Sequence, residues 1–599
     1  MSFFLRFKTG ENGSTMPSLP GRSPDPARRA ATLQEARGLY QFNYTHVSPL
    51  AMADKVPLDD EFSFGWLLKV AERVMKGMAN LAEIEIGKVA RDAHLDKLEK
   101  FKFHLSLGKD GVSSLAEAVT ESLRFDFQIW DTIERPSQIE DYANLFHTIG
   151  LPPVAKDYDQ DSVFAAMRLA GPNPVMIQRM TRADERFAVT DEHLHAVCPL
   201  DSLDAALAEG RLYLADYAAL DGVQCGDFPH GQKYLYAPLA LFVVDKRSRQ
   251  FLPVAIQCQQ QPATDNPIFT CRDGYNWLIA KTIVEMADGN THEAVTHLAR
   301  THMLMEPFVL CTYRQLAVQH PIHQLLAPHF QGTLAINQAA WQQLISDRGA
   351  VDKLLGGTIQ ESRRLAAFGV QSQIFDDVPL PTALAKRGVD DATCLPDYAY
   401  RDDALLYWNA ICAWVKDYVA IYYQADADVA GDGELQAWYA ELQSADGGRV
   451  QGLGGAGLGR RENLVQVLTS IIYTCSVQHA AVNFPQYDLM SYVPNMPLAS
   501  YAPAPKQKQG ASQQDYLNML PPMDMAALQG HLGYLLGTVR YTTLGEYRSG
   551  HFVDPRVGAP LKGFQERLSE IGQVIDERNR KRRPYDFLLP SGIPQSINI

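Results

Sequence analysis

Residues 291–308 read THEAVTHLARTHMLMEPF, and three histidines, His292, His297 and His302, recur at five-residue steps in this helix-forming run. Five residues advance a regular α-helix by about 500°, leaving successive members of the trio about 140° apart in projection. Rings so placed do not face one point. A π turn, closed by i→i+5 hydrogen bonds, would return His297 and His302 to one face. Downstream, His479 and Asn483 stand one α turn apart in QHAAVNFPQY, residues 478–487, and share a face without distortion. Two such helices could aim three imidazoles and an amide oxygen at a common point, a donor set suited to a redox metal such as iron. A plain polar helix face has the same spacing, and spacing alone leaves both readings open.

The 599 residues carry 55 Lys and Arg against 69 Asp and Glu, a formal charge of −14. Binding along a phosphate backbone needs dense basic surface, so no nucleic-acid partner is expected. One basic run, RNRKRR at 578–583, reads as a solvated surface segment. Eight cysteines (Cys198, Cys225, Cys258, Cys271, Cys311, Cys394, Cys412 and Cys475) contain no CxxC and read as free, mostly buried thiols. The start, MSFFLRFKTGENGSTMP, lacks a secretory apolar core, and no run approaches the ~20 apolar residues of a membrane span. A cytoplasmic monomer is expected, with any membrane association transient and not required.

Residues 1–27, rich in Gly, Ser, Pro and Arg, are expected to form a flexible extension, and residues 28–599 a single body. Apolar residues every three to four positions predict a long helix or helix pair over 66–101. Short β-flavoured runs fill roughly 165–260: RFAVT, GRLYLADY, KYLYAPLALFVVD and FLPVAIQCQ. From about residue 272 the pattern is mostly helical, broken by loop-like segments at 447–460 and 501–514. The fold class is therefore mainly α, with a small antiparallel β-sheet. Gly452, Gly454 and Gly457 form a GxGxxG, but it follows a helical segment and not a strand, so it reads as a loop and not a dinucleotide site. His193 and His195 lack a third donor nearby and read as surface or strand residues. His320, His323 and His329 read as helix caps or supports.

The flanking residues favour the metal. The run 292–330, HEAVTHLARTHMLMEPFVLCTYRQLAVQHPIHQLLAPHF, resembles the lipoxygenase signature His-x4-His-x4-His-x17-His-x8-His, reproduced by His292, His297, His302, His320 and His329. HAAVNFPQY resembles the family's second metal segment, and FLLPSGIPQSINI, 587–599, its C-terminus. LYQFNYTHVSPL at 39–50, AGPNPVMIQRM at 170–180 and TLGEYRS at 543–549 extend the resemblance over about 570 residues.

This resemblance implies a large helical lipoxygenase catalytic domain and one non-haem iron cycling between Fe2+ and Fe3+. Its ligands would be His297, His302, His479, Asn483 and the main-chain carboxylate of Ile599, with the apolar FLLP and the GIP turn tucking the tail inward. His292 would support without binding. Gln486 would bond Asn483, its usual glutamine partner on the first helix being Glu293 here. The implied activity is abstraction of a bis-allylic hydrogen from a polyunsaturated fatty acid such as linoleate, then addition of O2 to the opposite face. No side chain would act catalytically beyond an iron-bound hydroxide. A long apolar channel would hold the substrate. Ala340 matches the family's marker for S products, and Leu344 matches the leucine over the reacting carbon. Trp341 stands where the family usually has Arg. Leu354 and Leu355 fall where pocket depth is set. A 13S hydroperoxide is expected from linoleate, with 9S as the near alternative. With only about 30 residues ahead of the catalytic resemblance, the β-barrel domain of many members is expected to be missing, as in a compact bacterial type. Isomerisation of fatty acid hydroperoxides at the same site and non-catalytic lipid binding are the alternatives. An intact ligand set speaks against the second.

Overall fold

The computed structural model describes residues 16–86, 133–454 and 457–599. Residues 1–15 of the expected extension, 87–101 of the expected long helix, and positions 455 and 456 of the glycine motif lie outside the described residues.

Two short strands, β1 (Phe42–Asn43) and β2 (Met52–Ala53), pair antiparallel ahead of the helix α1 (Phe64–Ile86). The helix α2 (Asp161–Ala170) occupies the start of the zone expected to be β. An antiparallel sheet follows in the order β3 (Gln178–Arg179), β4 (Leu212–Asp216), β5 (Leu239–Val244), β6 (Phe251–Gln257), β7 (Ile268–Phe269). Along β5, Ala240, Phe242 and Val244 face the main core, while Leu239, Leu241 and Val243 face a smaller cluster with Phe187, Leu194 and Cys198. Covered on both sides, this strand can be apolar throughout.

RFAVT, 186–190, is a turn and not the expected strand. Asp184 accepts from the Arg186 backbone N–H at 3.0 Å and also holds its guanidinium, taking locally what a ladder would use. His193 belongs to the short helix Asp191–Leu194, its Nδ1 accepting from Thr190 N, and His195 follows in a turn, so neither is a strand residue. The basic run is more than a solvated segment: Arg578 and Arg582 both grip the buried Asp403.

A continuous helical run crosses the middle of the molecule: α3 (Tyr275–Thr291), a π segment (His292–Met303) and α4 (Leu304–Gln315). Nearly every residue of α3 is buried, and Gly289 admits Leu498 so closely that a Cβ there would lie 2.8 Å from its side chain. Around this run pack α5 (Thr333–Ala339), which continues as a π segment (Ala340–Leu344), and α6 (Ile359–Gln371). The helix α7 (Ala399–Tyr422) supports α8 (Arg461–Tyr473), which runs through a π segment (Thr474–Gln478) into α9 (His479–Asn483). A further π segment (Gln486–Met490) lies against α10 (Met523–Thr538), and α11 (Gly558–Asn579) packs on α7. The glycine motif follows the helix Gly433–Gln443 and is a loop in its described residues. All eight cysteines are free, four of them buried and four half-buried. Among the described residues, no helix is long and apolar enough to cross a membrane.

Candidate metal centre

The π segment does what the five-residue spacing requires. His297 and His302 turn to one side, their rings 4.9 Å apart, and α9 brings His479 against both. The Nε2 atoms of His297 and His479 each lie 3.2 Å from His302 Nε2, and ring nitrogens of all three fall within 4.8 Å of one another. The Ile599 main-chain oxygen stands 3.2 Å from His479 Nε2. Asn483, wholly buried one turn after His479, donates through Nδ2 to the Leu536 carbonyl at 2.9 Å. That bond points its Oδ1 the other way, where Gln486 Nε2 donates to it at 2.9 Å and leaves one lone pair free.

Tail burial is built from many partners. His329 Nδ1 donates to the Gln595 carbonyl, Thr333 to the Ile597 carbonyl and Ser596 to the Gln331 carbonyl. Trp66 Nε1 donates to the Asn598 carbonyl at 2.6 Å. Residues 593–599 are all buried, as the apolar FLLP and GIP segments lead one to expect.

Burial, reinforced by the neighbouring imidazoles, holds His297 well below the ordinary histidine range, and burial and His302 do the same to His479. Burial pushes His302 down to about 4. All three are therefore neutral at pH 7. Asn337 Oδ1 accepts from His302 Nδ1 at 3.0 Å, which leaves a lone pair on His302 Nε2. Nitrogen lone pairs crowded together in this way repel one another, and a cation between them converts that repulsion to attraction. Two donors ~2.1 Å from one first-row ion at right angles lie ~3.0 Å apart, close to the spacing seen. The residues fit a metal of the iron type: imidazoles, an amide oxygen and a main-chain oxygen in a buried setting.

His292 does not point its Nε2 at this cluster. That atom donates to the Val482 carbonyl at 2.7 Å, tying the first helix to the second beside Asn483. A second grouping, His292, Glu293 and His297, also places three donors within 4.8 Å, but it shares His297 with the first. Glu293 makes no bond to Gln486, contrary to the expected pairing. Gln486 folds back on Asn483, while the Glu293 carboxylate stays partly exposed, its oxygen 3.5 Å from His292 Nδ1. His320 caps the helix Pro321–Leu326, as its position suggests.

Ala340 is buried and Leu344 half-buried in the π segment after α5, while Leu354 and Leu355 belong to the main core. Gly356 N, just beyond them, donates to Asn290 Oδ1 on α3. Sequence reading missed Asn337, Glu306 and Trp66. The signal for Glu306 was a lone carboxylate in the apolar run MLMEPFVLC, which must find donors when buried.

The family model described as Lipoxygenase matches residues 13–586. A linoleate 9/13-lipoxygenase of Pseudomonas aeruginosa is 38% identical over 626 residues, covering 96% of this chain and 91% of the relative. The hydroperoxide isomerase ALOXE3 of Homo sapiens is 33% identical over 498 residues, covering 82% of this chain and 70% of that protein. The crystal structure of a coral 8R-lipoxygenase superposes with a TM-score of 0.84 at 32% identity, covering 98% of this chain and 83% of the other.

Proposed function

The chain belongs to the lipoxygenase family and is a fatty acid dioxygenase, and from that premise we propose the substrate, the metal and the residues that serve them. The substrate is a polyunsaturated fatty acid with a 1,4-pentadiene, of the linoleate type, and the product is an S-hydroperoxide, 13S from linoleate. One iron is held by His297, His302, His479, Asn483 and the main-chain carboxylate of Ile599. The observation that carries this reading is the convergence of three buried, neutral imidazoles beside a main-chain oxygen.

Bound iron supplies the one-electron chemistry that removes a bis-allylic hydrogen. The protein's own residues do the rest. His297, His302 and His479 present lone pairs because burial keeps them unprotonated. Asn483 presents an oxygen whose direction Gln486 and the Leu536 carbonyl set. Ile599 contributes the one anionic donor, which lowers the net charge of the buried site. Ala340 leaves room on one face of the pentadiene and Leu344 packs over the reacting carbon, so that oxygen enters from one side. Leu354 and Leu355 limit how deep the chain slides.

Oxygen consumption with linoleate, followed with conjugated-diene absorbance and chiral chromatography, tests this. A 13S hydroperoxide with stoichiometric oxygen uptake is expected. Absence of both diene and oxygen uptake in iron-replete protein would overturn the dioxygenase reading. A parallel assay on linoleate hydroperoxide detects the other reading, which the hydroperoxide isomerase among the relatives favours: conversion to epoxyalcohol with little oxygen uptake.

A further inference from the structure

Asn337 lies on α5 one turn before Ala340 and reaches across to His302. Its amide is fully engaged: Oδ1 accepts from His302 Nδ1 at 3.0 Å, and Nδ2 donates to the His302 carbonyl at 3.0 Å and to Glu306 Oε2 at 2.7 Å. Two pure acceptors at one end identify that end as nitrogen. The other end can then only accept, so the His302 proton sits on Nδ1 and Nε2 keeps its lone pair towards His297 and His479. Glu306, buried one turn after His302, accepts through Oε1 from Ala53 N of β2 at 2.7 Å. Its two oxygens thus face two donors, and only a carboxylate suits both. A second tie runs alongside. Trp341, next to Ala340, stacks on His46 with ring centroids 4.1 Å apart, and His46 lies in the connection between β1 and β2.

We propose that Asn337 and Glu306 are positioning residues: they fix the His302 tautomer and lock the helix bearing Ala340 to the helix bearing His302. Metal affinity and product handedness then depend on one hydrogen-bonded unit, a reading that rests on His302 being a ligand. The unit also explains why each partner needs the other. Glu306→Gln places an N–H against either Ala53 N or Asn337 Nδ2. The Asn337 amide can relieve the second clash only by flipping, which sets Nδ2 against His302 Nδ1 and drives the proton to Nε2. Asn337→Asp instead sets two carboxylates face to face. The exchange of both, Asn337→Asp with Glu306→Gln, restores the donor–acceptor order between the two side chains and leaves only the His302 carbonyl without its donor. The amide introduced on α4 accepts from Ala53 N and donates to the carboxylate introduced on α5, which still accepts from His302 Nδ1.

Titration of metal-free full-length protein with Co2+ tests the proposal, with the enantiomer ratio of the hydroperoxide as a second readout. Each single variant is expected to lose Co2+ affinity by about 10–100-fold and to lower the S excess. The double variant is expected to bind Co2+ at least about fivefold more tightly than the weaker single variant, as coupled neighbours do in a mutant cycle. It is expected to stay short of wild type because the His302 carbonyl is unpaired. A purely packing role would give no such recovery. Single variants that bind Co2+ as wild type does overturn the proposal, and so does a double variant no better than the weaker single. Wild-type protein that takes up no Co2+ overturns the ligand reading itself, and this inference with it.

Discussion

Single contacts carry much of the site. Trp66 Nε1 is the donor to the Asn598 carbonyl, one residue before the main-chain oxygen beside His479. Trp66→Phe leaves that buried carbonyl unpaired, a loss of about 1–3 kcal/mol. We expect faster metal loss to a chelator, and an unchanged release rate would show that the tail holds without this bond. Adding one residue after Ile599 moves the carboxylate away and is expected to abolish both bound iron and activity. Iron content equal to wild type in the extended chain would remove Ile599 from the ligand set. Ala340→Gly is expected to shift the product towards R, read by chiral chromatography; an unchanged enantiomer ratio would sever Ala340 from stereocontrol. At this scale the candidate donors were legible because histidine is sparse and their spacing matches a known signature. Asn337 was not, since an amide in INQAAWQQL acquires meaning only when His302 lies opposite.

Helices here are built to be locally overwide. Four π segments occur among the described residues: His292–Met303, Ala340–Leu344, Thr474–Gln478 and Gln486–Met490. All adjoin or contain candidate site residues, in keeping with the tendency of such turns to gather at functional sites. Only the first was legible, because its histidines recur every five residues; the others carry no repeated side chain to betray their period. Close packing holds the first in place. Gly369 on α6 meets this segment, and a Cβ there would lie 2.6 Å from the Ala299 Cβ. Gly→Ala in an open helix would stabilise by up to about 1 kcal/mol. Here overpacking outweighs that gain, and Gly369→Ala is expected to destabilise by about 1–3 kcal/mol, seen as a lower urea midpoint. A midpoint at or above wild type would show that α6 can move away freely. The failed strand at RFAVT belongs to this scale too. Its apolar alternation was genuine, but Asp184 captures Arg186 and turns the chain.

Across the whole molecule, buried histidines shape the response to acid. Burial pushes His323 and His329 down to about 4, against 6.5 for an exposed ring. Between those values the unfolded chain binds protons that the folded chain does not. Stability is therefore fully present above pH 6.5 and is lost as pH falls towards 4, by about 1.4 kcal/mol per pH unit for each histidine. Glu285 acts in the opposite sense, since burial holds its carboxyl above the ordinary glutamate range. The difference between variants isolates one group. His323→Gln should flatten the pH dependence of unfolding free energy by about 1.4 kcal/mol per pH unit between about pH 4.5 and 6. A slope equal to wild type would show that His323 titrates normally when folded.

Residue order alone was enough for the family, for the mainly helical class with its small sheet, and for which histidines could share a point. These are statements about period and residue type, and periodic burial writes them directly along the chain. Which atoms meet emerged only from packing: the Ile599 oxygen reaches His479, His292 serves the Val482 carbonyl, Glu293 stands apart from Gln486, and Asn337 lies against His302 Nδ1. Most of these contacts join segments distant in sequence, and the direction of a buried donor or acceptor depends on what packs opposite it. That opposite partner has no signature in local spacing.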